Sequence, residues 1–103
     1  MSPPELAALV LEQAARLQGA DAAEIDGGRE LRLDGEPFAA VRGGAVELRL
    51  RPELATAALR TPDVVQSPRG PGWVRFEPPV LDGFARDRAA AWLESAWRFT
   101  DEG

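Results

Sequence analysis

The sequence contains no cysteine, histidine, lysine, tyrosine or asparagine. Without cysteine or histidine there are no disulfides, no thiolate nucleophile, no imidazole base and no sulfur- or imidazole-ligated metal. Without lysine the chain cannot form a Schiff base with a carbonyl substrate. We therefore predict a protein that is not an enzyme and that has no cofactor and no bound metal. Chemistry that uses carboxylates alone stays open.

Long apolar runs are also missing. No stretch approaches the roughly 20 apolar residues that a membrane span needs, and Met1–Glu5 lacks the basic start of a secretory signal. These absences predict a cytoplasmic protein with no membrane contact. The chain of 103 residues is 45% hydrophobic, which gives one domain over residues 1–103 with a modest core.

All 12 basic residues are arginine, and they stand against 17 acidic residues to give a net charge of −5. The abundance of arginine, alanine, glycine and proline is typical of G+C-rich codons, so the arginine count alone is weak evidence for nucleic-acid binding. A negative protein is repelled by polyphosphates at long range. DNA binding is therefore disfavoured by the net charge and requires a local arginine patch.

Helical periodicity occurs at both ends of the chain and once in the middle. The first helix is predicted to begin at Ser2, the N-cap of an S-x-x-E capping box, and to end at Gly19. A second, short helix is predicted over residues 52–61, between two prolines. The last helix is predicted to begin after the N-cap Asp82 and to run to about Phe99.

Alternating apolar and polar residues separated by Asp-Gly and Gly-Gly pairs predict an antiparallel three-stranded meander. Its strands are residues 30–33, 36–42 and 45–50, and residues 73–76 form a fourth strand, with 64–66 as an optional edge piece. Together with the first and last helices, these strands predict an α+β fold in which an antiparallel sheet packs against an N-terminal and a C-terminal helix.

The two predicted hairpin turns require different facings for the strand that they share, residues 36–42. Two-residue turns pair Leu31 with Phe38 and Val41 with Val46, but Phe38 and Val41 are three residues apart and fall on opposite faces of an unbroken strand. Either a β-bulge lies near Ala39-Ala40, or both faces of the sheet are partly covered. We favour the bulge.

The order and spacing of several short motifs resemble the MmcQ/YjbR family of small bacterial proteins over nearly the whole chain. The motifs are LQGAD at 17–21, LRLDGEPFA at 31–39, LRLRPEL at 48–54, GWV at 72–74 and LESAWR at 93–98. The resemblance implies a double-wing α+β fold and DNA binding, and it carries no catalytic motif. The segment between Pro62 and Gly72 is shorter than in that family. A bacterial luciferase-like domain of unknown function has a similar order of strands and motifs and ranks second.

The candidate binding surface is basic. Four arginines alternate with aliphatic residues in the meander and two lie on the neighbouring loop and strand: Arg32, Arg42, Arg49, Arg51, Arg69 and Arg75. On the solvent face of the sheet they would contact phosphates, with Arg42 at a hairpin tip. The alternative is that they pair across strands with Glu30, Glu36 and Glu47.

Two further patterns, a group of acidic residues and a single serine, are weaker evidence for a binding or catalytic site. The carboxylates of Asp21, Glu24, Asp26 and Glu30 are dense enough to suggest a divalent cation site, but the EF-hand template fails and we interpret them as turn and solvent-facing acids. A pocket lined by Glu24, Asp26 and Glu30 would instead favour a small ligand or an acid-dependent enzyme. Ser67 has no base to activate it.

The aromatic residues Trp92 and Trp97 of the last helix, with Trp73, Phe76 and Phe38 of the sheet, are enough to build the core, and most of them are expected there. A second surface is expected on the last helix, where Phe84, Trp97 and Phe99 are candidates for contact with a partner.

The leading hypothesis is thus a non-enzymatic binding module of unknown ligand that binds DNA through an arginine-bearing sheet face. The alternative is a protein-interaction or self-association module, such as a homodimer, that uses the aromatic C-terminal helix.

Overall fold

Hydrophobic alternation and short turns build one six-stranded sheet, and two helices cover one of its faces. The computed structural model describes residues 5–103. Its helices are α1 (Glu5–Ala14), α2 (Pro52–Leu59) and α3 (Gly83–Glu102). Its strands are β1 (Ala20–Ile25), β2 (Gly28–Leu33), β3 (Glu36–Arg42), β4 (Ala45–Arg49), β5 (Val64–Gln66) and β6 (Trp73–Phe76).

The strand order is β1-β2-β3-β4-β6-β5, and every neighbouring pair is antiparallel. The first four strands form a meander. The chain then passes through α2 to the far edge at β5 and returns as β6 beside β4. The predicted α+β fold, an antiparallel sheet packed against N-terminal and C-terminal helices, is confirmed.

Helices α1 and α3 lie side by side on one face of the sheet, whereas α2 packs against β5 and β6. The core lies between the sheet and helices α1 and α3. Its largest fully buried apolar side chains include Leu6, Val10, Leu31, Phe38, Val46, Leu48, Leu50, Val74, Phe76 and Leu93. Phe76 of β6 meets Trp92 of α3 edge to face, with ring centroids 5.2 Å apart. No helix of residues 5–103 has the length and apolar character needed to cross a bilayer.

The predicted β-bulge is confirmed, one residue earlier than expected. Leu31 of β2 pairs with Ala39 of β3, but the next residue, Arg32, pairs with Pro37. Phe38 is therefore the extra residue of β3, and its side chain is fully buried in the core. The prediction that Leu31 pairs with Phe38 is wrong for this reason.

The turns follow the predicted chemistry. Asp34 and Gly35 both have positive φ, 51° and 83°, as the tight turn between β2 and β3 requires. Beyond the bulge, Val41 pairs with Val46 as predicted.

The predicted ends of the helices are partly correct. The carboxylate of Asp82 accepts a hydrogen bond from the backbone N–H of Ala85 at 2.8 Å, so the predicted N-cap of α3 is confirmed. The first helix ends at Ala14, not at Gly19; Gly19 has the positive φ expected of it, 81°, but lies in the turn that leads into β1. The capping box at Ser2 falls outside the described residues.

Strand β1 was not predicted. Residues 20–25 read ADAAEI, in which alanines and acids give no alternation of large apolar side chains. The segment forms a strand because its backbone pairs with β2 along its whole length, from Ala20 opposite Leu33 to Ile25 opposite Gly28.

Candidate functional site

The sheet face that points away from α1 and α3, the outer face, brings four of the six candidate arginines together. These are Arg32, Arg42, Arg69 and Arg75, and they surround two glutamates, Glu30 and Glu47. We call these six residues the arginine–glutamate network. Its formal charge is positive, because four arginines face two carboxylates.

Strand register explains how the two glutamates meet. Glu30 of β2 pairs with Ala40 of β3, and Ala40 pairs with Glu47 of β4. The two carboxylates therefore flank Ala40 in one row across the sheet. The methyl group of Ala40 is small enough to leave room above it, and the guanidinium of Arg69 bridges the two carboxylates across that space.

Glu47 is the centre of the network and is fully buried, with 0% exposure. The hydroxyl of Ser67 donates to its Oε2 at 2.9 Å, and Nε of Arg69 donates to its Oε1 at 3.2 Å. A buried carboxylate is tolerated only when it is paired and hydrogen-bonded. Ser67 also accepts a hydrogen bond from the backbone N–H of Arg69 at 3.1 Å, so its hydroxyl is engaged on both sides.

Glu30 is the second anchor. Its Oε1 accepts from Nε of Arg32 and its Oε2 accepts from Nη1 of Arg69, both at 2.7 Å. Burial alone would raise the pKa of Glu30, but the hydrogen bonds and positive charges of the two arginines outweigh it and lower that pKa below its ordinary value. Glu30 therefore stays ionised and holds both guanidiniums in place.

Arg69 comes from the loop between β5 and β6, and the loop is held down on the outer face. Its guanidinium carbon lies 4.9 Å from the ring centroid of Trp73. The side-chain amide of Gln66 donates to the backbone oxygens of Ser67, Gly70 and Trp73 at 3.3, 2.6 and 3.1 Å. Of the five aromatic residues considered for the core, Trp73 is the exception, because it supports Arg69 on the outer face.

Arg42 and Arg75 are the two arginines of the network that do not hydrogen-bond its glutamates. Their Nη1 atoms each lie 3.8 Å from a Glu47 oxygen, which is longer than an N–H···O hydrogen bond. Their side chains are 41% and 29% exposed. Nη2 of Arg75 lies 3.5 Å from Glu77. Because each guanidinium carries five N–H donors, both retain donors for a further acceptor.

These two arginines line a cleft of about 280 Å³ on the outer face. Its lining is Gly27, Arg42, Gly43, Glu47, Pro68 and Arg75. We call it the Arg42–Arg75 cleft. Gly43, at the β3–β4 turn, has a positive φ of 61°, and a Cβ built on it would lie 4.0 Å from Nη2 of Arg75. The cleft is large enough for a phosphate-sized group.

The other two candidate arginines lie at the opposite end of β4. Arg49 and Arg51 place their guanidinium carbons 5.0 and 5.3 Å from the ring centroid of Phe99. Arg49 also approaches Glu36 at 3.8 Å, and Arg51 pairs with Glu102. The structure does not join them to the arginine–glutamate network.

The four acidic residues considered for a cation site do not form a cluster. Asp21 and Glu24 lie on β1, Asp26 lies in the turn after it, and Glu30 belongs to the network. Among residues 5–103 there is no group of three or more acidic side chains arranged to hold a metal ion.

The structure does not bring the three candidate aromatic residues of α3 to one place. Phe84 is 73% exposed at the start of the helix, and Phe99 lies fifteen positions later, which is about 22 Å along the helix axis. Trp97 packs against the core and donates its indole N–H to the backbone oxygen of Gln18 at 3.0 Å. Phe84 is the exposed member of the three.

The alternative predicted from the sequence, that the arginines pair with Glu30, Glu36 and Glu47, is what the structure shows. The sequence did not reveal that Glu47 is buried or that Ser67 contacts it. Glu47 looks like an ordinary solvent-facing strand residue, and its burial depends on a loop 20 residues later in the chain. Ser67 was considered only as a nucleophile. The tight Ser-Pro-Arg-Gly-Pro-Gly loop at 67–72 is the sequence feature that could have indicated this contact, because it places a serine and an arginine two residues apart next to the sheet.

Fold and site together define a small α+β domain with an open antiparallel sheet, covered by helices on one face and bearing an arginine–glutamate network on the other. Comparison with known protein families finds no matching family, and comparison with curated proteins finds no match. The fold is similar to that of a protein from Pseudomonas syringae whose crystal structure was determined by the Northeast Structural Genomics Consortium, with a TM-score of 0.64 at 12% identity. The alignment covers 86% of this chain and 93% of that chain. At this identity the likeness concerns the fold alone.

Proposed function

We propose that this domain is a non-enzymatic binding module that holds a phosphate group in the Arg42–Arg75 cleft. One observation carries the proposal: two partly exposed guanidiniums converge on a cleft of about 280 Å³ and lie 3.8 Å from the carboxylate between them. An anion that enters the cleft replaces water around N–H donors that Glu47 does not saturate, and charge-assisted hydrogen bonds are the strong ones.

The buried carboxylate does not preclude an anion in the cleft. Glu47 already accepts hydrogen bonds from Ser67 and Arg69, so its charge is compensated from the side of the loop. The positive charges of Arg42 and Arg75 are therefore not required to neutralise Glu47 and can act on an anion. The same carboxylate keeps the two guanidiniums near each other before a ligand arrives, which reduces the ordering cost of binding.

The phosphate belongs either to a nucleic-acid backbone or to a small phosphorylated molecule. DNA binding is also what the resemblance to the MmcQ/YjbR family implies, and both that resemblance and a cytoplasmic location stay predictions. Two of the four arginines, Arg32 and Arg69, already hydrogen-bond glutamates of the network. The network therefore has fewer arginines available to phosphates than a DNA-binding face without acids would have. A footprint of one or two phosphates is what the cleft supports.

The test titrates the protein with labelled mixed-sequence duplex DNA by fluorescence anisotropy, and with inorganic phosphate and pyrophosphate by amide chemical shifts. If two phosphates of a duplex contact the cleft, affinity falls about 12-fold between roughly 50 and 200 mM salt, whereas four phosphate contacts make it fall about 150-fold. Binding of pyrophosphate without binding of DNA identifies a small phosphorylated ligand. No response to any of the three at the lower salt concentration overturns the proposal.

Variants locate the site. Arg42→Ala and Arg75→Ala are each expected to weaken phosphate binding about 10- to 100-fold, as loss of a charge-assisted contact does. Arg98→Ala is the matched control, because it removes the same charge from an exposed pair with Glu94 on α3. An equal loss in all three variants would indicate nonspecific attraction and count against the cleft.

A second candidate function is protein binding at the start of α3. Phe84 is 73% exposed and Val80, four residues earlier, is 66% exposed. Large apolar side chains this exposed and this close in sequence are typical of contact surfaces. We propose Phe84→Ser as the test: if the protein self-associates through this patch, sedimentation shows a concentration-dependent dimer that the substitution abolishes. A monomer at all concentrations removes the self-association form of this function.

A further inference from the structure

Strand β1 is an open edge of the sheet, and its backbone has hydrogen-bonding groups that point outward. Among residues 5–103, β1 has a strand neighbour on one side only. Ile25 and Gly28 are paired and flank the two-residue turn between β1 and β2. Alternation along an antiparallel ladder then directs the backbone groups of Ala23 toward β2 and those of Ala22 and Glu24 away from it.

A groove runs beside this edge, on the side of the sheet that α1 covers. It has a volume of about 250 Å³, and its apolar lining comes from Leu11, Ala14, Ala15, Ala20, Ala22 and Leu31. Successive side chains of a strand point to opposite faces, so a strand added beside β1 would direct every second side chain into this groove. The alanines leave the groove open because their side chains are too short to fill it.

The charge of the edge selects what can occupy it. Asp21 and Glu24 lie in β1 and Asp26 follows it, whereas β1 itself contains no basic residue. Both acids of β1 have an arginine of β2 opposite them: Arg29, which also lines the groove, lies opposite Glu24, and Arg32 lies opposite Asp21 but donates its Nε–H to Glu30. A second copy of β1 would add the same acids and no basic residue, so it offers no charge complementary to this edge. The edge therefore favours a basic segment over a second copy of this chain.

We propose that the β1 edge binds an extended, basic segment of a partner protein, which adds a strand to the sheet. Backbone hydrogen bonds to Ala22 and Glu24 supply affinity, and apolar side chains of the segment enter the groove against α1. Basic side chains at the intervening positions face Asp21 and Asp26. This inference is independent of the Arg42–Arg75 cleft, which lies on the outer face at the β3–β4 turn.

The experiment uses the full chain and a synthetic probe peptide of about eight residues that alternates valine and lysine, with its ends blocked. A peptide that alternates valine and glutamate is the charge control. A valine–lysine peptide with N-methyl groups at alternate positions is the backbone control. Binding is measured by fluorescence anisotropy, and the site is located from amide chemical shifts. The valine–lysine peptide is expected to bind, to shift the amides of Ala22 and Glu24 most, and to lose affinity on N-methylation.

Two variants test the two sources of affinity. Ala22→Pro removes an outward N–H without removing a hydrogen bond to β2, and it is expected to weaken peptide binding about fivefold or more. Asp21→Asn combined with Asp26→Asn keeps the backbone intact, removes the two charges that face the basic side chains, and is expected to weaken binding severalfold at low salt, with the difference reduced at high salt. Circular dichroism and thermal unfolding verify that both variants fold.

Several results would overturn the proposal. These are equal binding of the acidic peptide, amide shifts that fall outside β1 and α1, unchanged affinity in both variants, and no binding at all. Dimerisation of the protein that Ala22→Pro abolishes would replace the basic segment with a second copy. Loss of phosphate binding in Arg42→Ala with peptide binding intact would show that the two surfaces act separately.

Discussion

Replacement of Arg69 is the most direct perturbation of the arginine–glutamate network. Its guanidinium bonds Glu47 at 3.2 Å and Glu30 at 2.7 Å, and it stacks 4.9 Å from the ring centroid of Trp73. Arg69→Ala removes all three contacts at once. Glu47, which is fully buried, then keeps Ser67 and the more distant arginines but loses the one guanidinium within hydrogen-bonding distance.

The size of the expected stability loss follows from the buried carboxylate that Arg69→Ala leaves without its ion-pair partner. Breaking a buried ion pair by removing one partner costs about 3–5 kcal/mol. The side chain of Arg69 is 19% exposed, so water screens part of the loss and we expect the lower end, about 3 kcal/mol. For a domain of this size that corresponds to a decrease in Tm of about 12–20 °C.

Urea denaturation at neutral pH, followed by tryptophan fluorescence and circular dichroism, measures this loss. Arg98→Ala is the control, because its exposed pair with Glu94 is worth only about 0.3–0.5 kcal/mol. Glu30 keeps its hydrogen bond from Arg32 in this variant, so adding Glu47→Gln to Arg69→Ala removes the uncompensated charge and is expected to recover much of the lost stability. A loss below about 1 kcal/mol for Arg69→Ala, the range of surface pairs, or no recovery in the double variant, would refute the reasoning.

Three further predictions concern other elements. The pKa of Glu30 is lowered in the folded state, so its contribution to stability is present above the ordinary value of 4.5 and is lost as pH falls through the lowered pKa; unfolding titrations from neutral to acid pH should therefore show the stability gap between Glu30→Gln and the wild type closing. Gly28→Ala places a Cβ 1.8 Å from the backbone oxygen of Val41, and thermal unfolding is expected to show a loss of about 3 kcal/mol or more; a Tm within a few degrees of wild type would contradict that contact. Asp82→Ala removes the N-cap of α3 and is expected to cost about 1 kcal/mol, with unchanged stability as the contrary result.

Much of the fold follows from local patterns. The turn at Asp34-Gly35, the helix start at Pro52 and the cap at Asp82 each depend on a few neighbouring residues, so their chemistry can be recognised in the sequence. The bulge was predicted from two turns that disagree in parity, which is also a local argument. Strand β1 escaped prediction because pairing with β2, not its own composition, holds it in the sheet.

The candidate site could be predicted only in part. Alternation placed Arg42 and Arg75 on the solvent side of their strands. The burial of Glu47 could not be read in the same way, because it depends on Ser67 and Arg69, which reach it from a separate loop. A charged residue at a solvent-facing position is ordinarily hydrated, so nothing local distinguishes Glu47 from Glu36.

The bulge at Phe38 also affects how this chain should be aligned with others of its fold. Because β3 carries one residue more than its partner strand at that point, a related chain with a regular β3 requires a one-residue gap between Pro37 and Ala39. An ungapped alignment would match this chain's core positions beyond Phe38 with the other chain's outer-face positions. Such a misalignment would set Val41 and Val46 against polar residues and hide a real relationship, so the gap should be placed from strand pairing before residue identities are compared.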